Sequence, residues 1–268
     1  MRRCVGRAFA WPGVLHGCYR GSRVVTAAAA GMVGVHRALG TWTRDVDAYV
    51  ALSDFARRRF VAGGLPEEKL FVRPNYLLDD PGVGAHRGGF ALYAGRLSAE
   101  KGIGTLMEAW TRLGGRAPLK VVGSGPMAAA VAAGIPGVEW LGPRPHDEVL
   151  RLMRDAALLV FPSACYENFP LALVEAFATG LPVAAADGGV AGALVRAHAA
   201  GLTFTPGDAD ALAAAVVRMW LDDDGCAAMG RSARAAFEGE YTADRAYERL
   251  TKIYAAALEP ADGVAATV

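Results

Sequence analysis

Two acidic and two basic side chains have the types and spacing that could do chemistry. Glu175 is the only charged residue between positions 171 and 186, and burying a carboxylate in such an apolar segment is costly unless a polar group meets it. Glu167 lies eight positions upstream, and Arg96 and Lys101 lie in an earlier stretch that begins and ends with glycine. The bare N–H groups at the start of the helix predicted in this segment offer an anion a site between the two acids, so the pattern indicates a ligand site and not only a core segment.

Residues 161–183 predict the elements that position the two acids. The segment reads as the end of a strand, a tight loop, a short helix and the entry to another strand, with Pro170 suited to the first helical turn and Gly180 to the exit. The helix is apolar on nearly every side, which predicts burial, and its first N–H groups, around 169–172, suit an anion. A buried Glu175 could equally be a structural partner of nearby backbone N–H groups.

Two earlier loops carry patterns that suit phosphate. The stretch 95–102 (Gly-Arg-Leu-Ser-Ala-Glu-Lys-Gly) places its two cations at a helix start, although a capped turn with two surface cations explains it equally well. The stretch 123–128 matches the dinucleotide pattern Gly-x-Gly-x-x-Gly/Ala. Pro126 would intrude where a pyrophosphate meets the helix, and the acid that the pattern requires is misplaced at Glu139. We interpret this loop as the lining of a nucleotide site, which makes an NAD-dependent oxidoreductase the least favoured alternative.

The alternation of apolar runs and helical patterns predicts an α/β fold with a doubly wound parallel sheet. Because the apolar strands do not alternate with polar residues, the sheet should be covered on both faces and should bind ligands at the carboxyl ends of its strands. Strands are predicted at 48–52, 70–73, 90–94, 119–122, 138–141, 158–161, 182–186 and 202–204, and helices at 26–39, 55–62, 103–113, 147–154 and 208–220.

The net charge and its distribution along the sequence bear on the partners of this protein. The net charge is +1, which does not suggest a nucleic-acid partner. Residues 1–60 hold ten Arg and three Asp, a charge of +7 that leaves −6 for the rest. This basic part could make a peripheral contact with an anionic membrane surface or an acidic substrate, or it could be a solvated arginine face.

Cysteine usage and hydropathy indicate a reduced, cytoplasmic protein. The four cysteines form no Cys-x-x-Cys pair and, like the five scattered histidines, show no metal-ligand spacing. No segment reaches the ~18 apolar residues that a membrane span needs. Secretion is not expected either, because Arg7 and residues 11–12 (Trp-Pro) interrupt the N-terminal sequence before any run of signal-peptide length.

Taken together and in this order, the three loops resemble glycosyltransferase family 4, whose members are retaining, nucleotide-sugar-dependent enzymes of the GT-B fold. The resemblance extends over about residues 47–254. It rests on 95–97 with 100–102, on 122–126, and on Glu167, seven intervening residues and then Glu175-Ala176, with 180–183 behind them. It implies a complete C-terminal Rossmann-like donor domain and a partial N-terminal Rossmann-like domain.

The resemblance also implies a role for each matching residue. Arg96 and Lys101 would hold the donor diphosphate and neutralise the charge that develops as the glycosidic bond breaks, so no metal cofactor is required. Glu167 would bind hydroxyls of the transferred sugar, and Glu175 would accept hydrogen bonds from the ribose. Retention would need no carboxylate nucleophile. The remaining pocket would be formed by the backbone of Gly95, Gly123, Gly125, Asn168, Phe169, Pro170 and Leu171.

The implied function is transfer of a sugar from a nucleotide-diphosphate sugar to a glycan or lipid-linked acceptor, in polysaccharide or cell-envelope glycan biosynthesis. A Pro- and Gly-rich stretch at 79–89 predicts the linker between the two domains. The expected organisation is a remnant of the acceptor-side domain at 1–78, the linker at 79–89, the donor domain at 90–236, a C-terminal helix at 237–258 that returns to the first domain, and a tail at 259–268.

Only 78 residues precede this linker, fewer than the ~100 that half of such an enzyme needs. We therefore expect Met1 to be an internal start of an N-terminally truncated transferase that binds donor but transfers poorly. A non-catalytic sugar-nucleotide-binding module is the main alternative. A GT-B epimerase is less favoured, because the paired-Glu pattern matches transferases better.

Overall fold

The structure, a computed structural model, describes Cys4, Arg7, residues 9–165 and residues 167–258. Its described residues form two compact units: one comprises those up to Pro74 and those from Glu248 onward, and the other is Asn75–Tyr247. The predicted tail at 259–268 lies outside the described residues. In the described ranges, no helix is both long and apolar enough to cross a bilayer.

The described N-terminal part of the first unit contains two short parallel strands, four α-helices and a 3-10 turn at Glu67–Lys69. Tyr49 lies opposite Leu70 where the strands pair, and the Ser53 hydroxyl caps the helix after the first strand by accepting the Ala56 N–H. The predicted strands and the two predicted helices are confirmed to within a few residues. The elements are α1 (Trp11–Leu15), α2 (Arg23–Ala38), α3 (Thr41–Arg44), β1 (Tyr49–Ala51), α4 (Asp54–Ala62) and β2 (Leu70–Val72).

The second unit contains all the predicted strands of the doubly wound sheet. Its elements are β3 (Ala91–Ala94), α5 (Ile103–Leu113), β4 (Leu119–Val122), α6 (Ala128–Val131), β5 (Val138–Gly142), α7 (His146–Asp155), β6 (Leu158–Phe161), α8 (Leu171–Thr179), β7 (Val183–Ala186), α9 (Val190–Ala197), β8 (Gly201–Phe204), α10 (Ala209–Trp220) and α11 (Asp223–Glu240). A final helix, α12 (Ala243–Leu258), begins in this unit and continues into the other.

The six strands form one parallel sheet in the order β5-β4-β3-β6-β7-β8. Counted from β3, this is the order 3-2-1-4-5-6 of a doubly wound nucleotide-binding fold. The chain reverses direction across the sheet between β3 and β6, where Ala91 lies opposite Leu158. The chain continues from these two strands toward opposite sides of the sheet, and this switch point places a crevice at their carboxyl ends.

Helices cover both faces of this sheet, as the unalternating strands predict. On one face α5 and α10 pack together over a core that includes Trp110, Leu113, Leu212 and Val216. On the other face, α8 packs against α7 and α11. Residues 173–179 of α8 are all buried, which confirms the predicted burial of this helix. Pro170 is the N-cap residue, one position before the first turn.

Residues 79–89 contain no helix or strand and lie within the second unit. Their backbone is held to the ends of two helices, since Gly84 N–H donates to the Thr179 carbonyl at 2.9 Å and Gly88 N–H donates to the Asp155 carbonyl at 2.8 Å. The Arg234 guanidinium binds both oxygens of Asp80, at 2.7 and 2.6 Å. The domain boundaries given above stay predictions.

Candidate functional site

The loops after β3 and β6 lie directly against each other at the carboxyl edge of the sheet. Gly102 has a φ of +78°, and a Cβ at this position would lie 2.1 Å from the Pro162 carbonyl oxygen, so only glycine fits. The Ala164 N–H also donates to the Glu100 carbonyl at 3.2 Å. This close contact brings Lys101 next to the loop that carries Glu167.

The glycine loop after β4 supports the loop after β3 in the same way. Gly123 has a φ of +135°, and a Cβ there would lie 1.9 Å from the Gly95 carbonyl oxygen. Leu97 N–H donates to the Ser124 carbonyl at 2.9 Å, and Met127 N–H donates to the Leu97 carbonyl at 2.9 Å. Glycine is therefore required where two backbones meet. The helix that follows, α6, has only four residues.

Two adjoining cavities open along these loops, and Gly95 and Arg96 line both. The larger, of about 540 Å³, is also lined by Gly123, Gly125, Arg144, Ala172 and Glu175. The smaller, of about 200 Å³, is also lined by Tyr93, Lys101, Glu167, Pro170, Leu171 and Ala172.

Of the predicted site residues, Asn168 and Phe169 line neither cavity. Asn168 is exposed. The Phe169 ring is buried against Tyr241 with 5.7 Å between ring centroids, while the Phe169 carbonyl accepts a hydrogen bond from Asn75 Nδ2 at 2.9 Å. Phe169 therefore anchors the loop in front of α8.

Lys101 and Glu167 form an ion pair in the smaller cavity, with 2.8 Å between Nζ and Oε1. The side chains are only 29% and 16% exposed, so solvent screens the pair incompletely. Oε1 of Glu167 is buried and lies beside the ammonium of Lys101, but it makes no well-aligned hydrogen bond with any described residue. The cation and the carboxylate therefore hold each other in place, and the carboxylate keeps unused capacity to accept a hydroxyl.

Tyr93 fixes the loop between the two cavities. Its hydroxyl donates to the Arg96 carbonyl at 2.8 Å. Burial, together with the nearby carboxylates of Glu167 and Glu100, holds the pKa of the Tyr93 hydroxyl above its usual range. The hydroxyl therefore stays protonated and remains a donor at neutral pH.

Glu175 is paired with a histidine that the sequence analysis did not single out. His146 is the first residue of α7, and its Nε2 donates to Glu175 Oε1 at 2.9 Å. The Glu175 side chain is 12% exposed, whereas that of His146 is 67% exposed. The carboxylate therefore has the polar partner that its burial requires.

The amino end of α8 faces the smaller cavity, which Pro170, Leu171 and Ala172 line. Among the described residues no side chain caps this helix, and its N-cap residue is a proline, whose ring has no acceptor. The first N–H groups and the positive end of the helix dipole therefore favour an anion at this position.

Sequence reasoning missed Arg144, which lines the larger cavity, and His146, which pairs with Glu175. Arg144 precedes α7 and lies 3.7 Å from Glu148 in the first turn of that helix. The polar residues at the start of a predicted helix were a visible signal, but contact with a carboxylate 29 positions away depends on the tertiary fold. The described residues contain no group of three or more His, Cys, Asp or Glu side chains placed to hold a metal ion.

The fold and the site together define a doubly wound α/β domain with an anion site and a carboxylate-lined cavity at the crevice where such folds bind nucleotides. The glycosyl transferases group 1 family model matches residues 89–222, half of the sequence, and the chain belongs to that family.

Individual relatives agree with this assignment. The amylovoran biosynthesis glycosyltransferase AmsK of Erwinia amylovora is 29% identical over 224 residues, which are 75% of this chain and 54% of AmsK. A glycogen synthase of Mycobacterium tuberculosis is 36% identical over 154 residues, 54% of this chain and 36% of that protein. The chain thus spans about half the length of AmsK and less of the synthase.

Solved structures confirm the predicted GT-B fold. The crystal structure of Anabaena HepE in complex with UDP and glucose superposes with a TM-score of 0.70 at 19% identity, and covers 87% of this chain and 75% of HepE. The sucrose-phosphate synthase of Thermosynechococcus elongatus superposes with a TM-score of 0.72 at 23% identity, over 91% of this chain and 65% of that one.

Proposed function

We propose that this chain carries the donor-binding site of a retaining glycosyltransferase of family 4. The enzyme would transfer a sugar from a nucleotide-diphosphate sugar to a glycan or lipid-linked acceptor, in polysaccharide or cell-envelope glycan biosynthesis. The observation that carries the proposal is the meeting of Arg96, Lys101, Glu167 and Glu175 around two adjoining cavities at the crevice of the sheet.

The chemistry of the two cavities suits the two parts of such a donor. In the smaller cavity, the ammonium of Lys101 and the uncapped start of α8 suit a diphosphate, and Glu167 suits sugar hydroxyls. In the larger cavity, the buried carboxylate of Glu175 suits the ribose hydroxyls. Arg96 lines both, where the diphosphate would join the nucleoside to the sugar.

The relatives support the same class of reaction. AmsK is named for amylovoran biosynthesis, and another relative, from Escherichia coli, is an O-antigen chain mannosyltransferase with 27% identity over 177 residues. HepE has been crystallised with UDP and glucose. The names of AmsK and the mannosyltransferase and the ligands of HepE support a nucleotide-sugar donor and a glycan product for this chain.

Catalysis would rest on electrostatic stabilisation of the leaving diphosphate. As the glycosidic bond breaks, negative charge grows on the phosphate oxygens, and Arg96, Lys101 and the N-terminus of α8 would stabilise that charge. These fixed positive groups would supply the stabilisation without a metal ion. The acceptor hydroxyl would attack the anomeric carbon from the face that the diphosphate leaves and would pass its proton to a phosphate oxygen of the departing diphosphate, so the new bond would retain the configuration of the sugar.

A lipid-linked acceptor would bring the enzyme to a membrane surface. The ten arginines among residues 1–60 could contact anionic headgroups there, at about 1 kcal/mol for each residue near the surface. A soluble glycan acceptor would make this contact unnecessary, so binding to anionic vesicles would distinguish the two acceptors.

The proposal is tested by calorimetry with UDP-, GDP- and ADP-sugars. We expect one of them to bind, and Lys101→Ala to weaken binding about 10- to 150-fold, since a hydrogen bond to a charged group contributes ~1.5–3 kcal/mol. Lys252→Ala is the matched control, because Lys252 also pairs with a glutamate, Glu248 at 2.9 Å, in α12. Equal losses in both variants would show that Lys101 is not a donor-binding residue.

A further inference from the structure

The contact between His146 and Glu175 is more specific than a surface ion pair. The imidazole belongs to the first turn of α7 and reaches across to the second turn of α8, 29 residues later in the chain. Because two-thirds of the His146 side chain is exposed, its packing adds little to the core. Within the described part of the chain, the ring of His146 makes one polar contact, the hydrogen bond to Glu175.

This bond leaves the two carboxylate oxygens in different situations. Oε1 of Glu175 accepts the hydrogen bond from His146 Nε2 at 2.9 Å. Glu175 lines the larger cavity. Its other oxygen, Oε2, makes no hydrogen bond with the described residues and remains accessible. One oxygen is therefore fixed by the protein, and the other is free to accept a hydrogen bond from a ligand in the cavity.

The surroundings of Glu175 give the carboxylate no second anchor on its own helix. It is the only charged residue of α8, and its neighbours in the helix are apolar and buried. A side chain with several rotatable bonds in such a place keeps one orientation only if another group holds it. Groups that hold a ligand-binding side chain in this way commonly affect affinity by about 10- to 100-fold at metal sites.

We propose that His146 is a positioning residue that orients the Glu175 carboxylate toward a vicinal diol, so that the site prefers ribonucleotides over nucleotides that lack the ribose hydroxyls. This inference rests on the proposed function, because the diol belongs to the nucleotide of the donor. It assigns to His146 a part in nucleotide recognition without contact with the ligand.

The test measures how hydroxyl deletion in the ligand combines with deletion of the imidazole. Calorimetry gives the Kd of whichever of UDP, GDP and ADP binds best, and of its 2′,3′-dideoxy form, for the wild-type protein and for His146→Ala. We expect wild-type protein to prefer the ribonucleotide and His146→Ala to reduce that preference by about tenfold, which corresponds to ~1.4 kcal/mol.

Two further variants separate positioning from a general effect on the fold. His146→Gln keeps an N–H donor of similar reach and should restore most of the preference. His36→Ala removes a partly buried histidine of α2 that bonds Thr41 Oγ1 at 3.2 Å, and it should leave both Kd values unchanged.

The outcomes are distinguishable. If no nucleoside diphosphate binds wild-type protein, the proposed function fails and the inference falls with it. If wild-type protein binds and shows the same preference for the ribonucleotide as His146→Ala, the proposed function stands and the positioning role is wrong. If wild-type protein binds without any such preference, the positioning role and the ribose contact of Glu175 are both wrong, while donor binding stands. The same holds if His146→Ala weakens both ligands equally, because a structural role would do that.

Discussion

Replacing Glu175 with methionine should change stability and ligand binding in opposite directions. The side chain is 12% exposed on a helix whose other residues from 173 to 179 are buried and uncharged. Met and Glu have similar length and helix propensity, and exchanging a buried charge for a well-packed apolar group is often neutral or stabilising by ~1–4 kcal/mol. We expect the lower half of this range. The replacement leaves the imidazole of His146 without its carboxylate, but that imidazole is exposed to solvent and can bind water instead.

The loss of binding follows from removal of a carboxylate that lines the larger cavity. A hydrogen bond from a ribose hydroxyl to a carboxylate contributes ~1.5–3 kcal/mol, so the variant should bind the nucleoside diphosphate about 10- to 150-fold more weakly. Urea denaturation measures the first effect and calorimetry measures the second. Higher stability combined with weaker binding in the variant is the result expected for a carboxylate that is retained for function at a cost in stability.

Glu108→Met is the matched control. Glu108 lies on α5, pairs with Arg112 at 2.6 Å and is 58% exposed, so its replacement should change the free energy of unfolding by less than ~0.5 kcal/mol and leave binding unchanged. If Glu175→Met instead destabilises the protein by more than 1 kcal/mol and binds nucleotide as before, Glu175 is a structural partner of the backbone and our reasoning is wrong.

Three other changes test separate parts of the account. Glu167→Gln should tighten binding of the nucleoside diphosphate, because it releases the ammonium group 2.8 Å away, but weaken binding of the intact nucleotide sugar; calorimetry with both ligands would contradict us if the two shifts had the same sign. Gly102→Ala should destabilise the protein by ~1–3 kcal/mol, since its Cβ would lie 2.1 Å from a carbonyl oxygen at a φ of +78°. Its control Gly104→Ala, with nothing within 4 Å, should stabilise by ~0.5–1 kcal/mol in urea denaturation. Hydrogen bonds from Arg234 hold the pKa of Asp80 below its usual range, so the pair stabilises the fold above the pKa of the unfolded carboxyl, ~3.9, and is lost as the pH falls below it. Asp80→Asn should therefore lower the free energy of unfolding by ~0.5–1 kcal/mol at pH 7, a small effect because solvent screens the half-exposed Asp80. Urea denaturation would contradict this prediction if the stability difference between wild-type protein and the variant did not narrow below pH 4.

The strands and helices around the site follow closely from sequence. Leu119–Val122, Leu158–Phe161 and Ile103–Leu113 have the predicted bounds, because each is a compact apolar or amphipathic run between breakers. The sequence analysis did not predict α11, Asp223–Glu240. This helix contains three glycines and few large apolar residues, so its own signal is weak, and packing against α8 stabilises it.

The site was predictable as a set of loops but not as a set of contacts. Motif spacing singled out Arg96, Lys101, Glu167 and Glu175, and the structure places all four around the two cavities. The partners of the acids depend on the order of the strands. β3 and β6 are neighbours although two strands separate them in sequence, and this crossing brings Lys101 to Glu167. No local sequence pattern indicates that these two strands are neighbours.

The central claim is that the crevice between β3 and β6 binds the diphosphate of a nucleotide sugar. Thermal unfolding of the wild-type protein with UDP-, GDP- and ADP-sugars tests it most directly, because a ligand at 100 times its Kd stabilises the folded state by ~2.7 kcal/mol. The account predicts a rise in Tm with one of these donors that is abolished in a variant with both Arg96→Ala and Lys101→Ala. No rise with any of them, or an equal rise in that variant, would contradict it.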